Sequence, residues 1–83
     1  MNNEFYKIVG KELMLLRKSA DMSNEKLSKR AGISSSTISR YENGKNNMNL
    51  DVIEKIVLCC NSNMFIFFNN CIAKMQQYKK LNE

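Results

Sequence analysis

The apolar residues of this chain recur at helical spacing from one end to the other. Phe5, Val9, Leu13 and Leu16 fall on one face of a first helix expected over about 3–19, which Gly10 weakens slightly. Two short helices are expected next, over 24–30 and 35–43. Each is preceded by a serine that can cap it, and each serine is flanked by an apolar pair spaced as a hydrophobic staple: Met22 and Leu27 around Ser23, Ile33 and Ile38 around Ser34. Asp21 marks the first turn, Ala31-Gly32 supplies a small residue and a left-handed stop, and Gly44 closes the following helix. After a polar loop at 45–48, a fourth helix starts from Asn49 as cap, with Met48 and Ile53 as staple and Asp51 near the positive end of the dipole. Asn61 stands where a left-handed residue ends that helix. The last helix is expected from just after Asn63 to about Leu81, with Met64, Phe68, Cys71, Met75 and Tyr78 in an a/d repeat too short for a coiled coil.

This pattern predicts an all-α fold, and 83 residues without proline or an evident linker predict one domain over 1–83. Within it a core of about 5–68 carries a helical extension, 69–83. The formal net charge of +5 is concentrated on residues 7–45, with nine Lys or Arg against four Asp or Glu, whereas 46–83 has four against three. An excess placed on the motif-bearing half suits a phosphate-binding surface. No apolar run approaches the roughly 20 residues that span a bilayer, and no signal pattern opens the chain, so a cytoplasmic protein without membrane contact is expected. Cys59, Cys60 and Cys71 form no C-x-x-C pair and histidine is absent, so neither a metal site nor a cofactor is expected; the cysteines read as small apolar residues rather than a redox switch.

The segment 23–44, SNEKLSKRAGISSSTISRYENG, has the layout of a helix-turn-helix, two short helices about a tight glycine turn. Its residue order resembles the lambda-repressor-like, or XRE and Cro type, family of helix-turn-helix regulators. Upstream, VGKELMLLRK is similar to that family's first helix, and downstream, LDVIEKIVLCCNSNMFIFF is similar to its fourth helix and the start of its fifth, so that about 8–68 is covered. The resemblance implies a compact five-helix DNA-binding domain, here with an extended C-terminal helix. The chain departs from the family's frequent proline near position 47 or 48. Its size and single-domain build also resemble restriction-modification controller proteins and short phage-type repressors.

In a recognition helix over about 35–43, the outward residues are Ser35, Ser36, Ser39 and Arg40, while Ile38 and Tyr41 point inward. The resemblance puts base contacts at Ser35, Ser36 and Arg40. A guanidinium can pair bidentately with guanine O6 and N7, whereas the serines read as base contacts, phosphate contacts or solvent-facing filler. Phosphate anchoring is expected from Asn24, Thr37, Lys45, Asn46 and Asn47. Arg17 and Glu42 look like the family's ion pair linking the first helix to the end of the third. Met14, Leu15, Leu58, Phe65 and Ile66 are apolar where family members usually carry polar side chains, and they need a cover. The stripe of the last helix reads either as monomer core or as dimer seam. The seam is preferred, with Phe65, Ile66, Phe68 and Met75 at the interface.

The leading function is therefore a homodimeric, sequence-specific transcriptional regulator of a double-stranded DNA operator, with no small-molecule effector evident. The alternative is an antitoxin-like interaction module whose C-terminal helix binds a partner protein. An enzyme is disfavoured by the lack of histidine, of a nucleophile elbow and of a phosphate-cradling glycine loop.

Overall fold

Four helices start where a Ser or Asn side chain takes up an orphan backbone N–H. In the computed structural model, which describes residues 3–45 and 48–81, the order is α1 (Asn3–Ser19), α2 (Asn24–Ala31), α3 (Ser35–Glu42), α4 (Leu50–Cys59) and α5 (Met64–Leu81). Ser23 Oγ accepts from the Lys26 N–H at 3.1 Å and Ser34 Oγ from the Thr37 N–H at 3.1 Å. Asn49 Oδ1 accepts from the Asp51 N–H at 2.8 Å and Asn63 Oδ1 from the Ile66 N–H at 2.9 Å. The stops are equally local. Asp21, Gly32, Gly44 and Asn61 have φ of 56°, 69°, 71° and 61°, and the reversed chain returns backbone bonds such as Met22 N–H to Arg17 O and Ser62 N–H to Val57 O, both 3.1 Å.

All five helices contribute to one core. Leu13, Leu27, Ile38, Ile56, Val57 and Phe67 are fully buried within it. Tyr41 is buried too, and its hydroxyl accepts the Asn49 N–H at 2.7 Å, fastening the loop after α3 to the start of α4. Of the expected stripe on α1, Val9 and Leu13 enter the core and Leu16 packs against it. Phe5, in the first turn, is 41% exposed and lies edge-on to Tyr6.

On the last helix, most of the a/d stripe packs within the chain itself. Cys71 is buried, Met64 and Phe68 pack against the protein's own core, and Met75 is half-buried. Phe67, outside the a/d stripe, is the fully buried anchor of α5, and its ring meets Phe68 edge-on at 5.6 Å between centroids. The inward face thus centres on Phe67 and Cys71. Glu12 of α1 fixes it there, being buried and accepting from Asn70 Nδ2 at 3.1 Å and from Lys74 Nζ. A buried carboxylate needs such partners. Phe68 and Met75 are therefore partly used up inside one chain, and the apolar surface left outside on α5 is Phe65, Ile66 and Ile72, at 76%, 47% and 53% exposure.

Cys60 and Cys71 are buried, and desolvation pushes both thiols up to about 11, with the Glu12 carboxylate adding to the effect at Cys71. Such thiols stay protonated near neutral pH and are poor nucleophiles.

Gly10 marks the closest approach of two helices. A Cβ there would lie 2.4 Å from Tyr41 O, 2.8 Å from Glu42 O and 2.9 Å from Gly44 N; one on Gly44 would lie 2.7 Å from Lys7 Cα. Backbone meets backbone at this crossing of α1 with the end of α3. In an isolated helix, Gly10→Ala would stabilise by about 1 kcal/mol. Here the atoms in the way cannot rotate aside, so we expect a net loss of about 2 kcal/mol or more, read as a lower urea midpoint at unchanged m-value.

Candidate nucleic-acid interface

Helix α3 is short, begins at a serine cap and buries only Ile38 and Tyr41. Its other face is open: Ser35, Ser36, Ser39 and Arg40 are exposed, and Arg40 joins no ion pair among the described residues. The orphan N–H groups of its first turn, this free guanidinium and the hydroxyls form one polar surface that can offer donors to an anionic duplex. The hydroxyls are not all free. Ser34 Oγ donates to Thr37 Oγ1 at 2.8 Å and lies 3.2 Å from Ser36 Oγ, so Thr37, half-buried, belongs to the cap network.

Asn24 opens α2 behind this face, and its side chain is turned into the protein. Its Nδ2 donates to Ser39 Oγ at 2.9 Å and to Ser35 O at 3.3 Å, while Oδ1 is buried with no hydrogen-bond partner. What Asn24 offers a phosphate is therefore its backbone N–H at the helix start. Lys45 is exposed just beyond α3, and Asn43 caps that helix by donating from Nδ2 to Ser39 O at 2.8 Å. Asn46 and Asn47 lie outside the described residues.

The orientation of α3 is held from behind by a chelated ion pair. Arg17 Nε donates to Glu42 Oε2 at 2.7 Å and Arg17 Nη2 to Glu42 Oε1 at 3.0 Å, with side chains only 13% and 8% exposed. Nη1 of the same guanidinium donates to Met22 O at 2.9 Å, tying the turn before α2 into the arrangement. The hydrogen bond to Glu42 holds the Arg17 pKa above its ordinary value. This fork-to-fork geometry resists sliding and rotation in a way that a single contact does not.

The sequence reading missed Phe67 and the link from Glu12 to Asn70 and Lys74. Glu12 does carry a signal, since it stands beside Leu13 and within one turn of Val9 and Leu16, where a charge needs a partner. Nothing local points to Asn70 and Lys74 as that partner. The bond from Asn24 to Ser39 was likewise hidden, because it joins two helices.

These elements define a helix-turn-helix DNA-binding domain, with α2 and α3 as the two motif helices. A family model described as helix-turn-helix matches residues 13–65, and the chain belongs to the XRE-type helix-turn-helix family of DNA-binding transcriptional regulators. No curated protein matches it by sequence. Among solved structures it is similar to the clp gene regulator ClgR from Corynebacterium glutamicum, with a TM-score of 0.85 at 12% identity over 94% of this chain and 83% of that one. A second crystal structure of ClgR gives 0.76 at 12% identity, covering 83% and 88%. At that identity the likeness concerns the fold.

Arg17→Ala and Glu42→Ala are each expected to destabilise the domain by about 2 to 4 kcal/mol, because each leaves a largely buried charge without its partner. The double variant should lose clearly less than the sum. A double-mutant cycle in urea measures the coupling, and additive losses would mean that the two charges act independently.

Proposed function

We propose that this protein is a sequence-specific regulator that binds its operator as a homodimer, inserting α3 of each subunit into the major groove. The observation that carries this is the exposed face of Ser35, Ser36, Ser39 and Arg40 on a helix whose back is locked by the Arg17–Glu42 chelate. Arg40 reads a guanine. The backbone N–H of Asn24 and the side chains of Thr37, Lys45, Asn46 and Asn47 hold phosphates, and Ser35, Ser36 and Ser39 complete the contact. Its place of action is where its DNA lies, the cytoplasm. Among the described residues no single helix is long and apolar enough to cross a membrane.

Selection of bound duplexes from a random pool tests the reading and supplies the operator. On that operator, Arg40→Ala should lose about 1 to 3 kcal/mol of binding together with preference at one guanine, at unchanged thermal stability. Lys45→Ala should weaken all sequences alike and lower the salt slope by about one unit. Equal affinity of wild type and Arg40→Ala would remove Arg40 as a base reader.

The dimer rests on apolar surface that the monomer leaves open. Leu58 on α4 and Phe65, Ile66 and Ile72 on α5 are all about half exposed or more. A second copy is the occupant that suits this function, since a two-fold axis sets two recognition helices one DNA turn apart, about 34 Å. Phe65→Glu should give a folded monomer that binds a half-site weakly. Sedimentation of both proteins decides it: a wild type that stays monomeric at high concentration excludes the homodimer and leaves the face to a different protein.

A further inference from the structure

Ser39 sits in the middle of the recognition helix, where a serine proton ordinarily rests on the carbonyl four residues back. That carbonyl is Ser35 O, and Asn24 Nδ2 already donates to it at 3.3 Å. The same amide nitrogen donates to Ser39 Oγ at 2.9 Å. The orientation of the amide follows from the Ser35 carbonyl, which can only accept. A flipped Asn24 would face it with Oδ1, acceptor against acceptor, and would leave Nδ2 as the buried orphan in place of Oδ1. Ser39 Oγ is therefore an acceptor toward the protein. No acceptor among the described residues takes its proton, and the side chain is on the exposed face of α3.

We infer that Asn24 is a positioning residue that makes Ser39 a hydrogen-bond donor toward the major groove, so that Ser39 selects a base presenting a keto oxygen and rejects one presenting an amine. This deepens the DNA-binding reading above and rests on it. A free serine hydroxyl both donates and accepts and so discriminates little. With one lone pair engaged and Ser35 O already hydrogen-bonded, the hydrogen that no group in the described protein accepts points outward, and only one lone pair is left to compete with it. At the exocyclic position of the major-groove edge, guanine O6 and thymine O4 meet that hydrogen, whereas adenine and cytosine place an amine there. The specificity is thus for G or T over A or C at one position of each half-site.

The test is operator selection with wild type, Ser39→Ala, Asn24→Ala and Asn24→Asp, each shown to be folded by its thermal transition. In wild type, one position lost in Ser39→Ala should favour G or T by about three- to tenfold, the range of one net hydrogen bond. Asn24→Ala releases the hydroxyl and should flatten that preference, with the guanine that depends on Arg40 unchanged. Asn24→Asp can donate neither to Ser39 nor to Ser35 O, and it should likewise remove the G or T preference. The readout is a base ratio at one position, which a general loss of stability or of phosphate affinity does not shift. If Ser39→Ala alters no position, if the position already favours A or C in wild type, or if Asn24→Ala keeps the G or T preference, the inference falls while the operator reading stands. If wild type enriches no sequence at all, both fall.

Discussion

The crossing of α1 over the end of α3 is the contact on which the rest of this structure depends. Two glycines, Gly10 and Gly44, let the backbones meet without intervening side chains. Seven residues along α1, Arg17 grips Glu42 through two parallel hydrogen bonds and reaches the Met22 carbonyl with its remaining nitrogen. Steric contact sets the distance between the helices, and the chelate sets the rotation of α3. Neither would suffice alone, because apolar packing is non-directional and an ion pair without a fixed spacing can swing. With both in place, the short α3 can leave most of its surface to solvent and still present its side chains in one orientation.

A second constraint runs along the outside of α1. Glu12 is a carboxylate taken out of water, and its attachment to Asn70 and Lys74 draws the last helix onto the domain. Such a pair adds little net stability against an apolar alternative, since desolvation offsets much of the attraction. It acts on register: the rotation that buries Phe67 and Cys71 also brings Asn70 and Lys74 to the buried carboxylate. The same rotation turns Phe65, Ile66 and Ile72 outward. Burial of Phe67 and Cys71 and the Glu12–Lys74 pair thus agree on one rotation of α5, which leaves Phe65, Ile66 and Ile72 as its open apolar face.

The helices were legible in the sequence because their determinants are local. Serine and asparagine caps act within one turn, the left-handed stops at Asp21, Gly32, Gly44 and Asn61 act within two, and the core faces of α2, α3 and α4 follow from apolar spacing. The exposed set on α3 was legible for the same reason, since a helix with Ile38 and Tyr41 inward has few choices for its other face. The a/d stripe of α5 left core and seam undivided and passed over Phe67. Met64, Phe67, Phe68, Cys71, Lys74, Met75 and Tyr78 all fit steps of three and four, so spacing alone does not tell a seam from a buried face, and an a/d count passes over the charged Lys74.

The sequence by itself determined five helices, their ends, and a serine-rich second motif helix that carries Arg40 on its outward face. Tertiary structure decided what those helices do to one another. It turned Gly10 from a weak point in α1 into the contact that admits α3, because the obstructing atoms belong to residues more than thirty positions away. It also turned the side chain of Asn24 from a free group at a helix start into a partner of Ser39. The physical reason is the same in each case. Caps and periodicity involve atoms that are neighbours in any copy of the helix, whereas hydrogen-bond direction and close approach depend on distance and rotation between helices, which only the packed core imposes.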